Sequence, residues 1–158
     1  MPITLQEVIK RLGADEPDYA ALAAMGPEAV PHLAALINGE DQGLASKAAY
    51  LASVIQTDEA IEVLKLAAAS THDIVRVAAA AGLRNLSAHQ AASLTDQLLD
   101  DKDAGVRKLA VRAAGRLGLS AVEPKVEAIA MRDEVKLLRA IAAVALEKIW
   151  ATRAVSEQ

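Results

Sequence analysis

At 158 residues the chain is long enough for one domain, and with 53% apolar residues it can bury a core, which excludes a disordered chain. A formal charge of −4 disfavours broad electrostatic binding to nucleic acid or anionic lipid, and the absence of cysteine excludes disulfides, thiolate nucleophiles and cysteine-based metal sites. Phe is absent and the aromatics are Tyr19, Tyr50 and Trp150, so small aliphatic side chains must do the packing; Ala, the best helix former, points to an all-α protein.

The first predicted helix covers residues 4–12 and serves as an N-terminal cap, with Thr4 and Glu7 at capping-box spacing. Helix pairs follow at 17–25 with 27–38, 43–56 with 58–69, 73–86 with 88–99, and 104–117 with 120–131. A last helix runs over 134–152. Gly26 and Gly118 read as helix ends and Pro27 as a helix start. Thr57 precedes Asp58 and Glu59 as an N-cap, and Ser87 with Gln90 again has capping-box spacing. Asp41, His72, Asp103 and Glu134 share a column at the start of the first helix of each pair. No composition break divides the chain, so one domain over 1–158 is expected. The opening MPITLQEVIKRLG carries Glu7, Lys10 and Arg11 where a signal peptide needs an apolar stretch, and no apolar run is long enough for a membrane span. The expected location is cytoplasmic.

The pairs repeat with a period of 31 residues. Ala29, Ala60, Ala91 and Val122 fall in one column; Leu33, Leu64, Thr95 and Val126 in a second; Leu36, Ala67, Leu98 and Ile129 in a third. On the other helix the columns are Leu44, Val75, Val106, Leu137, then Ala48, Ala79, Ala110, Ile141, then Ala52, Leu83, Ala114, Ala145. Only Thr95 breaks the apolar rule. Spacings of three and four make each set a helical stripe, and a fixed period of this length marks a solenoid. The expected fold is an all-α, right-handed α-solenoid of about four 31-residue pairs with terminal capping helices. Leu33, Leu64, Leu83, Val106 and Leu117 are expected in its core.

DIVRVAAAAGLRNL, DAGVRKLAVRAAGRLG and LLRAIAAVALEKI resemble the first helix of short HEAT-like repeats of the phycobilisome-lyase type, whose pattern is roughly Asp-x-x-Val-Arg-x-x-Ala-x-x-Ala-Leu. Val75-Arg76, Val106-Arg107 and, shifted by one, Leu138-Arg139 carry the match; Leu44-Ala45 departs from it. GPEAVPHLAALI and SAVEPKVEAIA resemble the second helix. The resemblance covers residues 17–150 and implies the solenoid fold. It also implies that the Arg column reaches the acidic turn of an adjacent repeat, and that some relatives bind open-chain tetrapyrroles.

The second helices of such arrays line the concave face, which makes them the expected recognition surface. His32, Glu62, Leu66, Ser93, Asp96, Gln97 and Glu127 are its candidate residues, with Leu66 as an apolar anchor. The leading expectation is a non-catalytic protein-binding scaffold or adaptor, with no cofactor, no metal and a protein partner of unknown identity. His32, His72 and His89 have no metal-ligand spacing, and no phosphate loop or nucleophile elbow occurs. One alternative is a nucleic-acid-binding module using the basic stripe Lys108, Arg112 and Arg116, although no aromatics interleave it for base stacking. A second alternative is a bilin lyase or chromophore chaperone. On the last helix, Leu146, Ile149 and Trp150 form an apolar strip. That strip either folds against the fourth pair or joins two copies in a homodimer across a twofold axis.

Overall fold

The computed structural model describes residues 1–158 and is entirely helical. Ten α-helices follow in order: α1 (Leu5–Leu12), α2 (Tyr19–Ala23), α3 (Val30–Ile37), α4 (Gln42–Ile55), α5 (Asp58–Ala68), α6 (Asp73–Gly82), α7 (Ala88–Leu98), α8 (Ala104–Leu117), α9 (Glu123–Arg132) and α10 (Lys136–Ser156). Short 3-10 turns occupy Gly26–Ala29, Leu83–Asn85 and Ser120–Val122, where the sequence suggested continuous α-helix. Pro31 and Pro124 each sit in the first turn of the helix that follows, where a missing N–H costs nothing. The caps were legible: the hydroxyls of Thr4 and Thr57 and the carboxylates of Asp41 and Asp103 accept from the first turn, and Ser87 with Gln90 closes both bonds of a capping box.

The chain forms two compact units, Met1–Leu86 and Ser87–Gln158. In the first, α4 is central and packs against α1, α2, α3, α5 and α6. Ala45, Ala48, Ala49 and Ala52 of α4 are buried, as are Ala79 and Ala80 of α6. A helix enclosed on several sides can approach its neighbours only through side chains this small, which accounts for the alanine-rich stretch of α6. Leu33, Leu51, Leu64 and Leu83 fill the remaining space and are fully buried. The buried Ser53 is satisfied: its hydroxyl donates to the Tyr50 carbonyl (2.6 Å) and accepts from the Asn85 amide (2.9 Å).

In the second unit α8 packs against α7, α9 and α10, and α10 lies along α8 and α9. The core holds Leu94, Leu98, Val106, Ala110, Val111, Ala114, Val126, Leu138 and Ile149. A Cβ on Gly115 would stand 3.0 Å from Ala145, so a side chain there would press α8 and α10 apart by a few tenths of an ångström. Gly118 ends α8 with φ +62° and turns Leu119 into the core; Leu117, expected there, is half-buried.

One loop geometry recurs. Arg76 donates to the Ser70 carbonyl, Arg107 to the Asp101 carbonyl and Arg139 to the Asp133 carbonyl, each six residues back. In the same loops Ser70, Asp101 and Asp133 accept, through their side chains, from the N–H two residues on. The register step is therefore 31 residues from Arg76 to Arg107 but 32 from Arg107 to Arg139. This corrects the last column: Leu137 and Val144 are 61% and 52% exposed, while Leu138, Ala142, Ala145, Leu146 and Ile149 face the core. The N-cap of α10 is accordingly Val135 and not Glu134.

Thr95, the polar intruder in the apolar columns, is fully buried, and its hydroxyl has no hydrogen-bond partner. Replacing it with the near-isosteric Val removes an unsatisfied polar group. Thr95→Val is expected to stabilise the protein by about 1 kcal/mol in urea unfolding. A loss of stability would mean that the hydroxyl has a partner.

Candidate functional site

The second-helix face is described unit by unit. In the first, α3 and α5 carry the candidates. His32 is half-buried, and its Nε2 lies 2.7 Å from the Ile3 carbonyl, so its ring ties down the N-terminal segment. Glu62 is exposed and pairs with Lys65 of the next turn (2.9 Å). Leu66, 39% exposed, presents apolar surface on α5.

In the second unit Ser93, Asp96 and Gln97 of α7 and Glu127 of α9 are all exposed. The sequence reading missed what joins them. Lys125 of α9 reaches across to α7, with its Nζ 3.2 Å from the Asp96 carboxylate, 2.5 Å from that of Asp100 and 3.1 Å from the Asp96 carbonyl. The bond to Asp100 raises the Lys125 ammonium pKa against the opposing effect of burial, and the bond to Asp96 adds to it, so the two acids favour the charged form of Lys125. It lines a shallow depression of about 240 Å³ with Leu99, Asp100, Ala128, Ile129, Arg132 and Asp133. The apolar floor and the charges of both signs on the rim come from adjacent second helices. Lys125 is three residues from Ala128 and four from Asp133's neighbour Ile129, a spacing visible in the sequence; the acids that fix it are 25 and 29 positions away, and nothing local marks them.

Behind that depression lies a buried ion pair. The Arg107 guanidinium grips the Asp133 carboxylate at 2.9 and 3.1 Å, and both side chains are almost fully buried. Arg107 thus has the structural role the resemblance implies for the Arg column, directed at the acid of the following loop. On α8, Arg112 and Arg116 are exposed and Lys108 is half-buried, with no aromatic ring among them. Of the proposed strip on α10, Leu146 and Ile149 are buried within their own unit and cannot meet a second copy. Trp150 is 47% exposed, and its indole N–H donates to Glu123 (2.8 Å), which also pairs with Arg153. The strip folds inward because the extra residue in the preceding loop rotates α10 by one position.

The family model described as HEAT repeats matches residues 61–147, more than half of the chain. The chain belongs to the HEAT-repeat family. No curated protein matches it. Among solved structures, this HEAT-repeat chain is similar to a chain in the complex of CpcE and CpcF of phycocyanin lyase from Nostoc sp. PCC7120. The TM-score is 0.69 at 24% identity, covering 89% of this chain and 96% of the other. The likeness shows a shared fold from nearly end to end.

That finding overturns one expectation. The leading expectation was a non-catalytic scaffold, with a bilin lyase as the weaker alternative. The matched chain belongs to a phycocyanin lyase structure and is covered over 96% of its length, so the expectation of no enzymatic role does not stand. No helix of this HEAT-repeat protein is long and apolar enough to cross a membrane.

Proposed function

We propose that the chain has a lyase-type role on a tetrapyrrole-bearing protein, acting as a HEAT-repeat subunit beside a protein partner. The observation that carries this reading is the fold match, over nearly the full length of both chains, to a phycocyanin lyase structure that is itself a complex of two named components. The second-helix face supports it. Leu66 presents apolar surface in one unit; in the other, Ser93, Asp96, Gln97 and Glu127 are exposed on the helices that carry the Lys125 depression, and Asp96 holds Lys125. An apolar floor with few, fixed polar groups suits recognition of an amphipathic ligand or of the protein segment that bears it.

The test is direct. The purified chain is mixed with an open-chain tetrapyrrole and an apo-phycobiliprotein subunit, with and without proteins captured on the chain from its own cell. The visible spectrum and the zinc-enhanced fluorescence of the denatured acceptor are then followed. A shifted tetrapyrrole band, and a changed rate of covalent chromophore attachment or removal, are expected. No spectral shift together with no change in acceptor chromophore would overturn the reading. Glu62→Lys with Asp96→Lys should weaken partner capture while changing stability by no more than about 1 kcal/mol, since both residues are exposed.

A further inference from the structure

Of the nine large apolar side chains that are exposed, five (Met131, Leu137, Val144, Trp150 and Val155) fall in residues 131–155. The register set by the arginines shows how this face of α10 differs from that of α8. At a step of 32, Gly105, Lys108, Leu109 and Arg112 of α8 correspond to Leu137, Ala140, Ile141 and Val144 of α10. Where α8 carries Gly105, Lys108 and Arg112 beside Leu109, α10 carries aliphatic residues at all four positions. Leu137 and Val144 are nevertheless more than half exposed, Ala140 and Ala143 are exposed, and Ile141 is half-buried.

The charges bordering this face are self-complementary. Lys136 and Glu147 are both exposed and lie eleven positions apart, about 16 Å along the helix. The midpoint between them falls between Ala140 and Ala143. A second α10 laid antiparallel about that midpoint sets Lys136 of each copy against Glu147 of the other. The two alanines of each helix meet at the centre, where small side chains let helices come close. Along one flank the order becomes Leu137, the second copy's Val144, Val144, the second copy's Leu137, an interdigitated apolar seam. One twofold axis generates every one of these contacts, as an isologous interface requires.

We propose that the outward face of α10 (Leu137, Ala140, Ala143 and Val144, flanked by Lys136 and Glu147) is a homodimer interface whose occupant is the antiparallel α10 of a second copy. The inference does not depend on the lyase-type reading, because it concerns the chain alone, without chromophore or acceptor. It replaces Leu146, Ile149 and Trp150 as the self-association surface.

Sedimentation velocity on the purified full chain, across micromolar to submillimolar concentration, tests it. The wild type is expected to sediment as two chains at the upper end. Lys136→Glu sets like charges face to face and should weaken the dimer at least about tenfold. Glu147→Lys should do the same, and the double reversal should restore the dimer, a rescue that no effect on folding explains. Val144→Asp, a change at an exposed site, should give a monomer with an unchanged helical circular dichroism spectrum. A wild type that stays one chain throughout, or a dimer indifferent to both charge reversals and to Val144→Asp, overturns the proposal.

Discussion

Asp133→Asn is expected to destabilise the second unit by about 3 kcal/mol, because it removes one half of a buried ion pair and leaves the other half charged. Arg107 is held by two bonds to Asp133 and by the carbonyls of Asp101 and Lys102, in a setting with little access to water. Asparagine keeps the shape and loses the charge. Burial pushes the Asp133 carboxyl pKa up, but the bonds from Arg107 and the Val135 N–H, with the charges of Arg107 and Arg139, outweigh it and hold the group below its usual range. The sign of the pH dependence follows. A carboxyl whose folded pKa is depressed stabilises the fold above its unfolded pKa of about 4, and that stability is lost as pH falls through the folded value. The gap between wild type and Asp133→Asn should therefore be widest near neutrality and narrow on acidification below about pH 4. Urea unfolding followed by Trp150 fluorescence measures it. A gap under about 1 kcal/mol at pH 7, or one unchanged at pH 3, would show that the pair is dispensable. Replacing both partners by apolar residues, Arg107→Met with Asp133→Leu, should recover most of the loss, since no charge is then left buried.

The same pair explains what the sequence disclosed and what it concealed. The period of 31 and the caps were readable because they are local: apolar spacing, Thr and Ser ahead of helices, and Val-Arg at fixed intervals. The single added residue before α10 was marked by the displacement of Leu138-Arg139 from the column. Leu137, Ile141 and Val144 are also apolar and satisfy the uncorrected period equally well, so apolar spacing alone does not reveal the shift. Only the bond from Arg139 to the carbonyl six residues back decides the register. Residue type alone cannot separate an aliphatic side chain that faces the core from one held ready for a partner.

Of the proposed recognition surface, the sequence made exposure legible. Exposed Leu66, Asp96, Gln97 and Glu127 lie where second-helix columns put them. His32 does not present a free ring, because the Ile3 carbonyl, 29 residues away, takes it. Lys125 went unnoticed for the converse reason, since its partners Asp96 and Asp100 come from another helix. The enzyme question failed at a different level. The chain has no constellation of the kind that marks hydrolases or phosphate-binding enzymes, but a repeat fold does not need one for its relatives to include lyases, and fold and site vary separately.

Leu83→Ala tests the core of the first unit and is expected to cost roughly 2–5 kcal/mol. Leu83 follows α6 directly in a 3-10 turn that packs on α4, and it is fully buried. Around it the core is built from alanines and from Ser53, whose Cβ would lie 2.7 Å from a Cβ on Gly82. Helix backbones already this close have little freedom to move inward and fill a cavity, which places the cost toward the upper part of the range. The readout can be confined to this unit. Tyr19 and Tyr50, its only aromatics, form an edge-on pair with ring centres 4.8 Å apart, whereas Trp150 lies in the other unit. Burial, with the neighbouring Tyr50 as a lesser cause, raises the Tyr19 phenol pKa. The tyrosine near-ultraviolet dichroism should therefore unfold at lower urea in Leu83→Ala than in wild type. Ile74→Ala, on the same α6 but at a site 48% exposed, should stay within about 0.5 kcal/mol of wild type. Equal losses in the two variants would mean that α6 does not present the Leu83 side to the core, and the 31-residue register of the first unit would fall.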